Sequence, residues 1–218
     1  MRSVQVSVIV PAYNAELYIG RCLRSLLKQT LDIDNYEIIV INDCSTDNTK
    51  KVISPFIGDI NYLENNKKLG LPKTLNTGIK NAKGQFIIRV DADDYVHWDF
   101  LKILSMHLHL NLSIDAIACD YLLVDNHQNI ISYKNCLEEP IGCGIMFKLE
   151  HLIDVGLYDS DFLAREDEEL KLRFNKKYSV SRVQLPLYRY RKHKHNLTND
   201  KNTMKKYNDK LSEKHNLK

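Results

Sequence analysis

Apolar residues fall in short runs separated by polar loops, and the spacing of the apolar positions changes along the chain. Residues 4–10 read as a buried strand ended by Pro11. Ile19, Cys22, Leu23, Leu26 and Leu27 then follow the i, i+3, i+4, i+7, i+8 rhythm of a helix with one buried face. Residues 36–41 form a second apolar run, and Ser45 or Thr46 is placed to cap a helix carrying Val52, Ile53 and Phe56. A short strand is predicted at 60–63. Pro72 suits the first turn of a helix that carries Leu75, Ile79 and Ala82 and stops at Gly84. Residues 85–90 are the next strand. Strand and helix alternate with short connections, the pattern of an α/β fold with a mostly parallel sheet flanked by helices.

The second half is more mixed. Phe100, Leu101, Leu104 and Leu108 predict a helix, and residues 115–124 and 130–133 a hairpin about Asn126-His127-Gln128-Asn129. A strand follows at 143–147, a helix at 149–155 closed by Gly156, a helix at 166–177, and a strand at 179–191 broken at Pro186. Apolar content drops near Asn199. The chain divides accordingly into one domain, 1–198, and a basic tail, 199–218, with a nucleotide-type α/β half at 1–95 and a mixed half at 96–198.

Composition narrows the class. At 218 residues with a net charge of +3, the chain has no basic excess that points to nucleic acid. Its five cysteines are odd in number and contain no C-x-x-C pair, which speaks against a disulfide framework or a zinc site and fits a reducing compartment. No apolar run approaches a membrane span, and no signal-peptide core follows Met1. The sequence therefore reads as cytoplasmic.

The chemistry concentrates at strand ends. Asp91-Ala92-Asp93-Asp94 follows the 85–90 strand directly. Ligands of open α/β sheets bind at the carboxyl ends of the strands. Three crowded carboxylates there need a positive partner, and Mg²⁺ or Mn²⁺ shared with substrate phosphates is a natural one. A solvated turn is the plain alternative. The loops Pro11-Ala12-Tyr13-Asn14 and Asn42-Asp43-Cys44-Ser45 converge on the same edge, Tyr13 offering an aromatic face and Asp43 a carboxylate acceptor. Glu166-Asp167-Glu168-Glu169 opens a helix, where the macrodipole favours acids, yet four in a row exceed capping and leave room for a general base. At 188–195 cations and two imidazoles gather. An exposed basic edge strand explains them. So does a diphosphate contact by Arg191, Lys192 or His193, or metal ligation by His193.

Taken in order, these segments resemble the family 2 glycosyltransferases, inverting enzymes of the GT-A fold that use nucleotide-diphosphate sugars. The resemblance runs from Val6–Asn14 through Asn42–Asp47, Gly70-Leu71, Asn76–Ile79, Ala82-x-Gly84 and the D-x-D at Asp91 and Asp93. It continues with Gly142–Gly144, Gly156-x-Tyr158-Asp159, Glu166-Asp167, and His193 followed by Thr198. It implies that Tyr13 stacks on the nucleotide base in a pocket shaped by Pro11, Ala12, Asn14 and Glu16, and that Asp43 binds the base. Asp91, with Ala92 beside it, would approach the ribose or support the metal. Asp93 would coordinate Mn²⁺ or Mg²⁺, His193 would be a further ligand, and Asp167 would be the general base. Its implied activity is transfer of a single sugar, most often from a UDP-sugar, to a glycan or lipid-linked acceptor in bacterial surface-glycan synthesis.

The chain departs from the pattern in places. Asn42 stands where an acid is common, Cys44 where glycine is common, and Leu75 where an arginine often precedes Asn76; Lys73 is the nearby cation, and the resemblance implies that Lys73 and Asn76 contact the nucleotide sugar. Two other classes compete: a sugar nucleotidyltransferase, which needs a glycine-rich loop after the first strand where this chain has none until Gly20, and a non-catalytic binding protein. In the tail, Met204, Tyr207 and Leu211 share one face of a predicted helix among lysines, a pattern that suits either an anionic membrane surface or a solvated terminus.

Overall fold

In the computed structural model the described residues are 4–194, 196 and 199–216. Among them, nine strands join one sheet, and their parallel half comes from the first part of the chain. Strands β1 (Val6–Ala12), β2 (Tyr36–Asn42), β3 (Asn61–Glu64) and β4 (Phe86–Arg89) lie side by side in the order β3-β2-β1-β4, all parallel. Helices α1 (Ile19–Leu27), α2 (Thr49–Ile53) and α3 (Leu71–Lys80) connect them. Every residue of β1 is buried, as befits a parallel strand covered on both faces. Alternation along the strands splits the core. Val8, Val10, Ile38 and Ile88 pack with Leu23 and Leu26 of α1, while Ile9, Ile39, Ile41 and Ile87 pack with Leu75 and Ile79 of α3. Helix α3 approaches closely because Gly78 has no side chain; a Cβ there would meet Ile9 and Ile41 at 2.7 Å.

The second half extends the sheet with reversed strands. In order come β5 (Tyr95–Val96), α4 (Phe100–Leu110), β6 (Ala116–Val124), β7 (Ile130–Lys134), β8 (Ile145–Lys148) and α5 (Leu149–Asp154). They are followed by α6 (Glu166–Phe174), β9 (Val180–Arg191) and α7 (Lys201–His215). Strand β8 runs antiparallel between β4 and β6, β9 lies parallel to β6, and β5 and β7 pair antiparallel with β9 and β6.

Two prolines behave differently from expectation. Strand β1 continues through Pro11 to Ala12, because the β4 ladder has already ended at Ile9 and Arg89, so the missing N–H costs no sheet bond. Strand β9 is not broken at Pro186. Val183 pairs with Cys119, Pro186 with Asp120 and Tyr188 with Tyr121, so the extra residues bulge and pairing resumes.

The tail is part of the same body. Tyr207 and Leu211 of α7 are buried against Phe162 and Ala164, with Met204 beside them. The apolar face that membrane docking would need is therefore already covered by protein. No helix among the described residues is long and apolar enough to cross a membrane. His195 and Thr198, and the terminal Lys218, lie outside the described residues.

Candidate functional site: an acidic cleft at the strand ends

A cleft of about 750 Å³ opens where β1 and β4 end, lined by Pro11, Tyr13, Asn14 and Glu16 on one side and by Asp91, Ala92, Asp93, Asp167 and His193 on others. The β1–α1 loop is held by the loop after β2. Asn14 sits in the left-handed region at φ 49°. Its Oδ1 accepts from the Thr46 N–H at 2.8 Å, and Glu16 accepts from the Asn48 N–H at 2.8 Å. Tyr13 stays half-exposed, and the Lys68 ammonium lies 3.6 Å from its ring centroid.

The three carboxylates after β4 meet different fates. Asp91 receives Arg89 Nε at 2.6 Å and Nη2 at 3.0 Å, so both its oxygens serve one guanidinium. The same buried arginine reaches Glu166 through Nη1 at 2.8 Å, tying β4 to the start of α6. Asp94 is buried, accepting from the Tyr188 hydroxyl and the Arg191 N–H, each at 2.7 Å. Burial, with Asp93 and Asp91 nearby, pushes its carboxyl well above the usual range. Asp93 lines the cleft, and its Oδ2 lies 2.7 Å from His193 Nε2. The His193 ring stacks on Tyr18 with centroids 4.8 Å apart.

These environments decide which groups suit a hard cation. Ligand atoms of Asp91, Asp94 and Cys143 lie within 4.8 Å of one another. Yet Asp91 is taken by Arg89, and Asp94 by Tyr188 and Arg191. Burial, with Asp91 and Asp94 adding, raises the Cys143 thiol, so it keeps its proton. Asp93 and His193 offer an oxygen and a nitrogen facing the cleft, a set that fits Mn²⁺ or Mg²⁺ shared with a phosphate ligand. A metal-supporting or ribose-facing role for Asp91 would have to share its carboxylate with Arg89.

On α6, burial pushes Glu166 up to about 7, with Asp167 adding and Arg89 opposing. Asp167 borders the cleft; burial and the neighbouring Glu168 raise its carboxyl, against Arg89. Its side chain lies against Gly142, where a Cβ would come within 2.7 Å of the Asp167 Cβ. Arg165 pairs with Glu168 at 2.5 Å, and the fully buried Glu169 holds Arg173 at 2.6 Å and Lys214 of α7 at 2.7 Å. Only Asp167 of the four acids faces the cleft without a cation of its own on it among the described residues.

Several expected contacts turn inward instead. Asp43 is buried and accepts from the Leu69 and Gly70 N–H groups at 2.8 Å each and from Asn65 Nδ2 at 2.8 Å, so its carboxylate shapes the β3–α3 loop. Asn76 bonds both ways with the Tyr158 backbone, at 2.8 and 3.1 Å, clasping α3 to the loop after α5. Lys73 and Ala12 do not border the cleft. The reading of the sequence missed Arg89, Tyr18 and Lys68. Arg89 carried a signal, a lone cation inside an apolar strand immediately before an acidic turn; Tyr18 and Lys68 carried none.

A sheet of this topology with a ligand cleft at its strand ends defines a nucleotide-diphospho-sugar transferase fold of the GT-A type. The chain superposes on S. aureus TarS 1-349 in complex with UDP-GlcNAc with a TM-score of 0.77 and 24% identity, covering 90% of this chain and 61% of that one. The mannosyltransferase PcManGT from Pyrobaculum calidifontis, solved with GDP-Man and Mn²⁺, gives a TM-score of 0.75 at 19% identity, covering 98% and 64%. In sequence, the profile described as "Glycosyl transferase family 2" matches residues 7–121. The chain is 31% identical over 189 residues to the Escherichia coli UDP-Glc:alpha-D-GlcNAc-diphosphoundecaprenol beta-1,3-glucosyltransferase WfgD, covering 82% of this chain and 72% of that protein. It is 40% identical over 103 residues to the Staphylococcus aureus poly(ribitol-phosphate) beta-N-acetylglucosaminyltransferase TarS, covering 45% of this chain but only 18% of TarS. The chain belongs to glycosyl transferase family 2.

Proposed function

We propose that this protein transfers one sugar from a nucleotide-diphosphate sugar, most simply a UDP-sugar, to an acceptor hydroxyl with inversion, as a hexosyltransferase of bacterial surface-glycan synthesis. The observation that carries this reading is the pair of cleft-lining carboxylates, Asp93 beside His193 and Asp167, each without an arginine or lysine among the described residues while its acidic neighbours are neutralised or buried. WfgD, by its name, acts with UDP-Glc on a lipid-linked sugar, which supports a glycan or lipid-linked glycan as acceptor.

Tyr13 offers the base a stacking surface, and the loop of Pro11, Asn14 and Glu16 shapes the nucleotide end of the cleft. Asp93 and His193 would hold Mn²⁺ or Mg²⁺, which when bound offsets the charge of the donor diphosphate. Asp167 accepts the proton of the acceptor hydroxyl as that oxygen bonds to the sugar's anomeric carbon. The bond to the diphosphate oxygen breaks on the opposite side, and its electron pair leaves with the nucleotide diphosphate. A general base of this kind contributes about 10²–10⁴ in rate.

Purified protein incubated with a panel of UDP-, GDP- and dTDP-sugars, with and without Mn²⁺, tests the reading. Metal-dependent transfer to a glycan acceptor, or slow hydrolysis releasing the nucleoside diphosphate, supports it. Release of pyrophosphate from a nucleoside triphosphate and a sugar phosphate would point instead to a nucleotidyltransferase.

A further inference from the structure

The cleft has a problem of charge. A nucleotide-diphosphate donor is strongly anionic, yet the two arginines that border the cleft are already committed. Arg89 pairs with Asp91 and Glu166 at 2.6 and 2.8 Å, and Arg165 pairs with Glu168 at 2.5 Å. Neither Lys73 nor Lys68 lines the cleft itself. Lys68 nevertheless reaches a residue that does: its ammonium rests over Tyr13, 3.6 Å from the ring centroid. Tyr13 itself borders the cleft and is 42% exposed.

The loop is built to place Lys68 there and leave its side chain free to turn. The Asp43 carboxylate grips the N–H groups of Leu69 and Gly70, the two residues following Lys68, at 2.8 Å each. It also holds Asn65 Nδ2 at 2.8 Å, three residues before Lys68. Gly70 takes φ +85°, a conformation glycine adopts without strain. The backbone is therefore anchored on both sides of an exposed lysine whose flexible four-carbon stem can sweep an arc. An exposed cation–π contact is weak, and a phosphate gives an ammonium a stronger, charge-assisted bond.

Resting on the donor reading above, we infer that Lys68 is the cation that receives the donor's phosphates, held on Tyr13 until the base arrives. A base stacking on that face displaces the ammonium, and the diphosphate of the same ligand gives it a new partner. Tyr13 and Lys68 thus work as a pair: one ligand both evicts the lysine and captures it. Asp43 is the positioning residue of the pair, acting through the loop backbone.

Binding of nucleosides and their diphosphates separates the base contribution from the phosphate contribution. Uridine and UDP, guanosine and GDP, and thymidine and dTDP are titrated by NMR into wild-type protein and Lys68→Met with diamagnetic Mg²⁺ present. For the pair that binds wild type, Lys68→Met weakens the diphosphate about 10-fold, the scale of one lost hydrogen bond to a charged group. It leaves the nucleoside unchanged or slightly tighter, since Tyr13 is uncovered, and makes diphosphate binding less sensitive to salt. Lys68→Arg retains the diphosphate affinity. Unchanged diphosphate affinity in Lys68→Met, or equal losses for nucleoside and diphosphate, overturns the assignment of Lys68 alone. Failure of wild type to bind any of the three diphosphates overturns the donor reading and Lys68 with it.

Discussion

Residues 91–94 place three carboxylates in four positions, and residues 166–169 place four in four. The two turns dispose of that charge by different means. The first, at the end of a parallel strand, uses one guanidinium for Asp91 and neutral or backbone donors, the Tyr188 hydroxyl and the Arg191 N–H, for Asp94. The second, at a helix start, uses cations almost throughout: Arg89 on Glu166, Arg165 on Glu168, and Arg173 and Lys214 on Glu169. Arg89 is common to both and locks them together across the cleft floor. Each turn is left with one cleft-lining acid that has no arginine or lysine on it among the described residues, Asp93, beside His193, in the first and Asp167 in the second. The lesson is that acid-rich sequence does not mean acid-rich chemistry. Most of these carboxylates hold the turns in place, and the proposed chemistry rests on one in each.

Exchanging the open acid of the second turn carries the largest expected effect. Asp167→Asn preserves shape and removes the base, so kcat falls about 10²–10⁴-fold while donor affinity stays near wild type. The pH profile adds a sign. In its proposed role Asp167 works ionised, and its carboxyl is raised by burial and Glu168, so activity is expected above that raised value and is expected to be lost as pH falls through it. The acid limb then lies above the value of about 3.9 for a free aspartate, and Asp167→Asn abolishes it. A large loss of donor affinity with kcat retained would make Asp167 a binding residue and turn attention to Glu166.

The open acid of the first turn is tested through the metal. Asp93→Ala is expected to remove the Mn²⁺ dependence of UDP binding, weakening binding in Mn²⁺ by at least the roughly 10–100-fold that losing an outer-sphere partner costs a metal site. The same exchange at Asp91 should act differently, since that carboxylate is tied to Arg89, and Asp91→Asn should keep the Mn²⁺ response. Isothermal titration with and without Mn²⁺ decides; a wild-type metal response in Asp93→Ala would remove the cation from this turn.

Much of this contrast was legible in the sequence and some of it was not, for physical reasons. The parallel half could be read because its strands are buried on both faces and its helices on one, which imprints continuous runs and helical periods. Tyr95–Val96 was invisible as a strand because two residues carry no period. Pro186 looked like a break because sequence shows the missing N–H but not the bulge that absorbs it. In the site, Asp93 and Asp167 were both named as candidates, whereas the backbone partners of Asp43 and Asn76, both expected at the ligand, were not foreseen. Asp43 reaches N–H groups 26 and 27 residues away and Asn76 a loop 82 residues away, and such partners are set by topology rather than by local spacing. The tail was misjudged similarly: a face of Met204, Tyr207 and Leu211 looks alike whether it meets lipid, water or Phe162.

A subtler break leaves both open acids in place. A methyl group at Gly142 would sit 2.7 Å from the Asp167 Cβ and 2.9 Å from its Cγ and Oδ2, closer than real contacts allow, so Gly142→Ala must push the carboxylate aside. Misplacement of a reacting group by about 1 Å can cost about 10²-fold in rate. Gly142→Ala is therefore expected to lower kcat by up to about that factor, with Mn²⁺-dependent donor binding intact because the first turn is untouched. Steady-state kinetics alongside UDP titration reads both. An equal loss of donor affinity would show that the two turns do not work separately.

The smallest effect is expected at the far end of the second turn, where the acid is structural. Lys214 Nζ bridges Asp159 at 2.6 Å and Glu169 at 2.7 Å, but its side chain is 37% exposed. Glu169 also keeps Arg173, bonded through Nε at 2.8 Å and Nη2 at 2.6 Å. Lys214→Met removes one partly solvated cation and leaves the buried carboxylate still paired, so the cost is that of a surface ion pair, about 1 kcal/mol or less. For a chain of this size that corresponds to a fall in Tm of about 2–4 °C or less. Tyr207 and Leu211 still cover Phe162 and Ala164, so α7 stays docked and kcat stays at wild type. Differential scanning calorimetry and a transfer assay on the same preparation measure the two quantities. A drop in kcat beyond about 10-fold at unchanged Tm would mean that α7 steers Asp167 through Glu169, and the division between holding acids and acting acids would have to be redrawn on this helix.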